Sequence, residues 1–339
     1  MGDVEVSALG DSGGLRAVWG GRHVLVTGAT GMVGSALCAR LVALGAHVVA
    51  LVPDVDPQSE LYRSGTFARV AVVNGRLEDV TAIERAVTLH ATDTIFHLGA
   101  QTIVGTAHRA PRATLEANVQ GTWNVLDVAR LHGDLVTAVV VASSDKAYGD
   151  SPVLPYTEDM PLAGTFPYEV SKSMTDLVAR SYALTYGVPA TTTRCGNIYG
   201  PGDLNWSRIV PGTFRSILTG QRPVLRSDGT FLRDYLHVDD VVDAYLTLAE
   251  TGATFAGQGF NFSGQSPLSV LDIYAECCAV AGMPGLEPVI ENRATGEIKD
   301  QYLDASRARD QLGWKPAVDL TSGLRATFAW YRDLLGDPR

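Results

Sequence analysis

From Arg22 onward, short and almost unbroken β-branched runs alternate with longer helical stretches, and this rhythm leaves the chain very few folds to choose from. The runs are His23–Thr27, His47–Val52, Arg69–Val73, Thr94–Leu98 and Val136–Ala142. A strand with one wet face alternates apolar and polar residues. A strand covered on both faces reads as a continuous apolar run, as these do. Between them Gly31 to about Leu44, Thr81–Leu89, Ala113–Leu131 and Tyr168–Tyr186 carry helical periodicity. The expectation is an α/β fold with a Rossmann-type doubly wound parallel sheet. After Gly196 the rhythm degrades. Gly, Pro and polar residues dominate Tyr199–Pro211 and Gly220–Asp234, with helical patterns near Asp239–Glu250, Leu268–Ala281 and Leu320–Leu335. A smaller mixed C-terminal region that covers a substrate is expected there.

With 339 residues the chain exceeds the usual size of a single core, and 46% hydrophobic residues suffice for a large one. The balance of 27 basic against 37 acidic residues gives a net charge of −10, which argues against a nucleic-acid binder. Cys38, Cys195 and the pair Cys277–Cys278 show no zinc spacing, and the seven histidines form no ligand motif, so no metal site is expected. Reduced thiols suggest a cytoplasmic protein. Residues 1–17 read as a flexible leader, without the basic and apolar blocks of a signal peptide. No apolar run is long enough to span a membrane.

The first strand runs directly into Thr27-Gly28-Ala29-Thr30-Gly31-Met32-Val33-Gly34, which places Gly28, Gly31 and Gly34 at GxxGxxG spacing before a helix. The first glycine permits a tight turn, the second a close approach by a pyrophosphate, and the third close packing of helix on strand. Glycines also fill ordinary strand–helix turns, but here they sit where a dinucleotide needs them. An acid normally ends the second strand and binds the adenosine ribose, favouring NAD. That position is Val52, and Asp54 comes two residues late, where it serves the ribose or is merely solvated. No Arg or Lys follows closely to hold a 2′-phosphate, so the expected cofactor is NAD.

Tyr168 and Lys172 lie four apart on an expected helix and so share one face. An ammonium and the cofactor's positive ring would lower the phenol's pKa and make Tyr168 a base. Such a pair is common on solvated helix faces; its value comes from following a strand that ends in Ser143-Ser144. His97, at the end of a strand, is read as a local hydrogen-bonding residue, Cys195 and Trp314 as core, and His237 as ordering its loop.

Taken together, these motifs resemble the extended short-chain dehydrogenase/reductase family of nucleotide-sugar enzymes, over about Arg22 to Tyr331. Supporting segments are His97-Leu98-Gly99-Ala100-Gln101, Asn118-Val119-Gln120-Gly121-Thr122, Arg194 to Gly202, Arg233-Asp234-Tyr235-Leu236-His237-Val238 and Leu312-Gly313-Trp314-Lys315-Pro316. The resemblance implies redox chemistry at Ser144, Tyr168 and Lys172. It implies cofactor contacts from Gly28, Thr30, Gly31, Met32, Val33, Gly34, Leu77, Leu98, Ala100, Asn118, Tyr168 and Lys172. Arg76 stands where the family usually has an aspartate against the adenine. For a nucleoside-diphosphate sugar the resemblance implies Gln101, Asn197, Arg208, Arg233 and Arg293. It also implies a homodimer through the helices Ala113–Leu131 and Tyr168–Tyr186.

Ser144 is followed by Asp145-Lys146. Epimerases similar to this chain have small or apolar residues there; 4,6-dehydratases have an acid/base pair, and the Asp-Lys version looks most like CDP-glucose 4,6-dehydratases. The implied activity is therefore that of an NAD-dependent lyase converting an NDP-hexose to its 4-keto-6-deoxy sugar. Asp145 and Lys146 as a structural ion pair, an NDP-sugar 4-epimerase or decarboxylase, and a non-catalytic NAD(H) sensor are the alternatives. The expected division is residues 18–196 for NAD and 197–339, partly interleaved with the first, for the sugar nucleotide.

Overall fold

The apolar runs become strands of one seven-stranded sheet in the computed structural model, which describes residues 17–293 and 297–336. Its strands are β1 (His23–Thr27), β2 (His47–Val52), β3 (Ala71–Asn74), β4 (Thr94–His97), β5 (Ala138–Ala142), β6 (Ala190–Cys195) and β7 (Gly259–Phe262). They lie in the order β7-β6-β5-β4-β1-β2-β3, and every neighbouring pair is parallel. The chain turns back at β1, flanked by β2 and β4, and this reversal opens a crevice at the carboxyl ends of the strands.

Side chains alternate across a strand, and the sheet uses this to feed two cores. Val24 and Val26 face α1 (Met32–Leu44), where Leu37 and Leu41 are fully buried. Leu25 faces the opposite side, against Ile83 of α2 (Val80–Leu89), Leu126 of α3 (Gly121–Leu131) and Ala179 of α4 (Pro167–Tyr186). A third core lies between α5 (Ile209–Leu218), α7 (Val270–Val280) and α9 (Leu320–Leu335), with Phe214, Ile273, Leu324 and Tyr331 at its centre. The helix α6 (Val238–Glu250), with α8 (Ser306–Leu312), returns to the α1 face, and β7 to the sheet edge. Residues beyond 196 thus contribute to the α1-side core and the sheet as well as to the third core.

The third strand starts at Ala71 rather than Arg69, because Thr66–Arg69 is a 3-10 turn. The single helix expected over 113–131 is three pieces: Pro111–Leu115, a π-helical turn Glu116–Gln120, and α3. Between the Gly/Pro-rich stretches lies α5, and the stretches themselves hold short strands: Asn197–Tyr199 on Tyr235–His237, Leu232–Arg233 on Leu268–Ser269, and Val224–Leu225 on Val289–Ile290. The expected leader lies outside the described residues, apart from Ala17. Among the described residues no helix is long and apolar enough to cross a membrane. Cys38, Cys195, Cys277 and Cys278 are all buried and free, and Trp314 is core, as expected.

Candidate active site

The glycine turn is built for close approach. Gly28 has φ +70°, and a Cβ there would lie 2.7 Å from the Gly99 nitrogen. A Cβ on Gly34 would overlap the Gly28 carbonyl oxygen, so α1 can pack this tightly on β1 only with glycine there. Gly31 differs: its nearest neighbour is the Gly28 oxygen, at 3.3 Å, and its other side is open. It caps α1 without a side-chain hydrogen bond, which leaves first-turn N–H groups suited to pyrophosphate oxygens. The residues fit a dinucleotide.

Behind the turn, a buried relay ties β1, β4 and α3 together. The Gly99 N–H donates to Thr27 Oγ1 at 3.0 Å, which leaves the hydroxyl proton for His97 Nδ1 at 2.9 Å. Thr122 gives its proton to the Asn118 carbonyl at 2.6 Å and therefore accepts from His97 Nε2–H at 3.0 Å. Both ring nitrogens are satisfied in the neutral imidazole. Burial, reinforced by the Lys172 charge, pushes His97 down to about 3. His97 is therefore a local hydrogen-bonding residue, as expected.

The Asn118 carbonyl is free for such contacts because the π-turn widens the helix there. Its side chain accepts from the Gln101 N–H at 2.6 Å and donates to Ser171 Oγ at 2.9 Å. Gln101 spends its own amide on Ile103 and Thr114. Leu77 sits against Gly121, and its carbonyl accepts from Asn124 at 2.9 Å. Leu98 and Ala100 continue from β4 half-buried. Arg76 reaches solvent, 70% exposed, and pairs with Glu78 at 3.5 Å. Asp54 is exposed.

Ser144, Tyr168 and Lys172 converge at the end of β5. Pro167 starts α4, which presents Tyr168 and Lys172 one turn apart, both buried. Ser144 lies beside Tyr168 and helps to lower its pKa, and its hydroxyl donates to Asp145 Oδ1 at 2.9 Å. Lys172 Nζ donates to the Ala142 carbonyl at 2.7 Å, and burial lowers it to about 8 against the pull of Asp176. The phenol departs from the sequence expectation. Burial drives Tyr168 up to about 12, with Arg208 opposing and Asp145 reinforcing, so the chain's own groups do not lower it. The reason is burial, which outweighs the charges that reach the phenol.

Asp145 and Lys146 occupy the 3-10 turn Asp145–Tyr148, capped by the Ser144 side chain. They diverge: Asp145 turns to Ser144, while Lys146 Nζ donates to Gln301 Oε1 at 2.7 Å. Burial and Arg233 lower the Lys146 pKa; Asp145, Glu169 and Glu297 oppose this. Gln301 had no sequence signal, since 155 residues separate it from its partner.

The arginines do not all face one place. Arg208 pairs with Asp203 at 2.9 Å and acts electrostatically on Tyr168. Arg233 is buried and spends its guanidinium on the Leu232, Ile298 and Lys299 carbonyls. Asn197 lies on the strand that pairs with Tyr235–His237. Arg293 is exposed, and its backbone N–H donates to the Arg226 carbonyl at 2.7 Å. His237 caps α6 by accepting from the Asp239 N–H at 3.3 Å. Asp234, beside Asp145, is driven up to about 6 by burial. Among the described residues no cluster could hold a metal ion.

Comparison with known proteins places this geometry. The chain is 33% identical over 316 residues to a dTDP-glucose 4,6-dehydratase of Streptomyces griseus, covering 91% of this chain and 94% of that protein. It is 31% identical over 319 residues to a UDP-glucose 4-epimerase of Mycolicibacterium smegmatis, covering 92% and 99%. Among solved structures, a UDP-glucose 4-epimerase from Thermotoga maritima with UDP-glucose superposes with TM-score 0.85 at 28% identity, covering 92% of this chain and 99% of that one. The dTDP-glucose 4,6-dehydratase DesIV from Streptomyces venezuelae, with NAD bound, gives 0.82 at 29% identity, covering 92% and 97%. Residues 24–262 match the family model for NAD dependent epimerases and dehydratases. With NAD as its cofactor, the chain belongs to the NAD dependent epimerase/dehydratase family.

Proposed function

We propose that the protein is a nucleotide-sugar 4,6-dehydratase, a lyase that converts an NDP-hexose to its 4-keto-6-deoxy sugar. The observation that carries this reading is the Asp145-Lys146 pair on the turn after Ser144: the two groups point apart, to Ser144 and to Gln301, rather than to each other. A structural ion pair would close on itself; an acid and a base acting on adjacent carbons need to be separate. NAD, which Gly28, Gly31, Gly34 and the α1 terminus would hold, would supply a reversible hydride acceptor and a positive charge that offsets the burial raising the Tyr168 phenol. Tyr168, relayed through Ser144, takes the C4 hydroxyl proton, and Lys172 stabilises the phenolate. The 4-keto group then acidifies C5–H. Lys146 removes that proton, its electron pair forms the C5–C6 double bond, and the C6 hydroxyl leaves as water with a proton from Asp145. The C4 hydrogen, which would leave as hydride to NAD when Tyr168 takes the hydroxyl proton, would be returned to C6 and the Lys146 proton to C5, so the cofactor would end as it began.

Arg208 and Asn197 are our candidates for diphosphate and nucleoside contacts, with Gln101 for the sugar, Arg233 from the strand Leu232–Arg233 and Arg293 from the exposed segment after Val289–Ile290. We assign residues 18–196 with β7 and α6 to NAD, and the rest of the C-terminal region to the sugar nucleotide. The Asp-Lys pair supports a CDP-hexose, and the relatives' names support a dTDP-hexose. The protein is further read as a cytoplasmic homodimer. Four free, buried thiols suit a reducing compartment, and Trp123, Met174 and Leu177, each 40–50% exposed on α3 and α4, form an apolar face for a second copy.

The test is incubation with CDP-, dTDP- and UDP-glucose, followed by base-induced absorbance of 4-keto product and by mass loss of water. Lys146→Met and Asp145→Asn should each lower water loss by about two to four orders of magnitude while single-turnover hydride transfer persists. Near-normal product formation by both variants overturns the reading. A 4-epimerase, favoured by the TM-score of 0.85 to one, then takes its place.

A further inference from the structure

Gln301 has no exposed surface, and its segment is stitched in place from three sides. Its N–H donates to the Leu232 carbonyl at 3.0 Å, the Leu232 N–H donates to Asp300 at 3.0 Å, and the Leu303 N–H donates to Asp234 at 2.6 Å. Its side-chain oxygen accepts from Lys146 Nζ at 2.7 Å, whereas its side-chain nitrogen is buried without a partner. A buried N–H without a partner is disfavoured, so the orientation is set by the lysine. The reversed amide would place an N–H against Nζ, where it would either repel an ammonium or occupy the lone pair of an amine.

We propose that Gln301 is a positioning residue for Lys146: its neutral carbonyl holds Nζ in one place in both protonation states and leaves the amine lone pair free on the other side. The inference rests on the dehydratase reading, in which Lys146 gains a proton from C5 and gives it back within one turnover. An amine and an ammonium both have N–H groups to donate, so a carbonyl oxygen serves both. A carboxylate at the same place would hold the ammonium and block the cycle. The charged groups that face Lys146 are Asp145 on its own turn, Glu169 of α4, Arg233 and Glu297. Burial of Lys146 favours the amine, and Gln301 leaves that bias intact.

Lys146 is one of only four lysines in the chain, so trace acetylation across pH, read by mass spectrometry, reports its titration directly. Gln301→Glu should raise the apparent pKa of Lys146 by about one unit or more; Gln301→Leu should not raise it. In the product assay, Gln301→Glu should move the acidic limb of kcat to higher pH by the same amount. Gln301→Leu should lower kcat about tenfold with KM little changed. If Lys146 titrates alike in all three proteins, or if Gln301→Leu dehydrates at the wild-type rate, the proposal fails. If the wild type forms no 4-keto-6-deoxy product from any sugar nucleotide, the dehydratase reading fails instead. The labelling then still decides whether Gln301 governs Lys146, and should Gln301→Glu misfold, the Gln301→Leu arm stands alone.

Discussion

Acid should unfold this protein through His97, and the size of the effect follows from the relay that buries it. The imidazole falls from its ordinary value of 6.5 to about 3, through burial and the Lys172 charge. In the folded protein it stays neutral, accepting from Thr27 and donating to Thr122, while in the unfolded chain it takes up a proton near pH 6.5. The unfolded state therefore binds more protons throughout this window, and stability rises with pH across it. Read downward, the stabilisation is intact above pH 6.5 and is lost progressively as pH falls toward 3. At pH 4 the loss spans roughly 2.5 units at about 1.4 kcal/mol each, or about 3–4 kcal/mol, a large part of a typical domain's stability. The assay is urea unfolding at a series of pH values for the wild type and His97→Gln. The variant keeps polar atoms near both threonines but cannot titrate. It should start about 1 kcal/mol less stable at pH 7, from imperfect hydrogen bonds, and then lose less stability than the wild type on acidification. Parallel curves between pH 6.5 and 4 would refute the buried neutral imidazole and with it the assigned relay.

The two inner glycines of the turn should behave differently. Gly34→Ala must push Cβ into the Gly28 carbonyl, so it should lower stability by about 1–3 kcal/mol in a thermal or denaturant melt. Gly31→Val meets only the Gly28 oxygen at 3.3 Å, so the fold should survive; NAD affinity by calorimetry should collapse, and an unchanged affinity sinks the cofactor assignment. Light scattering at micromolar concentration should give twice the chain mass, and Leu177→Glu, at a position half exposed on α4, should halve it. A monomeric wild type removes the dimer.

The strands from β1 to β5 were legible because their periodicity is local. Continuous apolar runs mark strands covered twice, and Val24 and Leu25 do feed opposite cores. Gly28, Gly31 and Gly34 were legible because a turn between adjacent elements fixes its own spacing, and Tyr168 and Lys172 because one helical turn places them together. The edge strand Gly259–Phe262 was not, since four residues with a polar Asn261 carry no pattern. Nor was the π-turn Glu116–Gln120, which leaves helical periodicity nearly intact while opening the backbone at Asn118.

By itself the sequence determined the layer order, the cofactor loop and which residue types meet at the end of β5. Only the tertiary structure decided their protonation and aim. Tyr168 is raised rather than lowered because burial outweighs any charge the chain brings to it. Arg233 turns to backbone carbonyls near 298, and Lys146 meets Gln301 across 155 residues. Desolvation and long-range contacts depend on what the rest of the chain packs against a group, and no spacing within a local window encodes that.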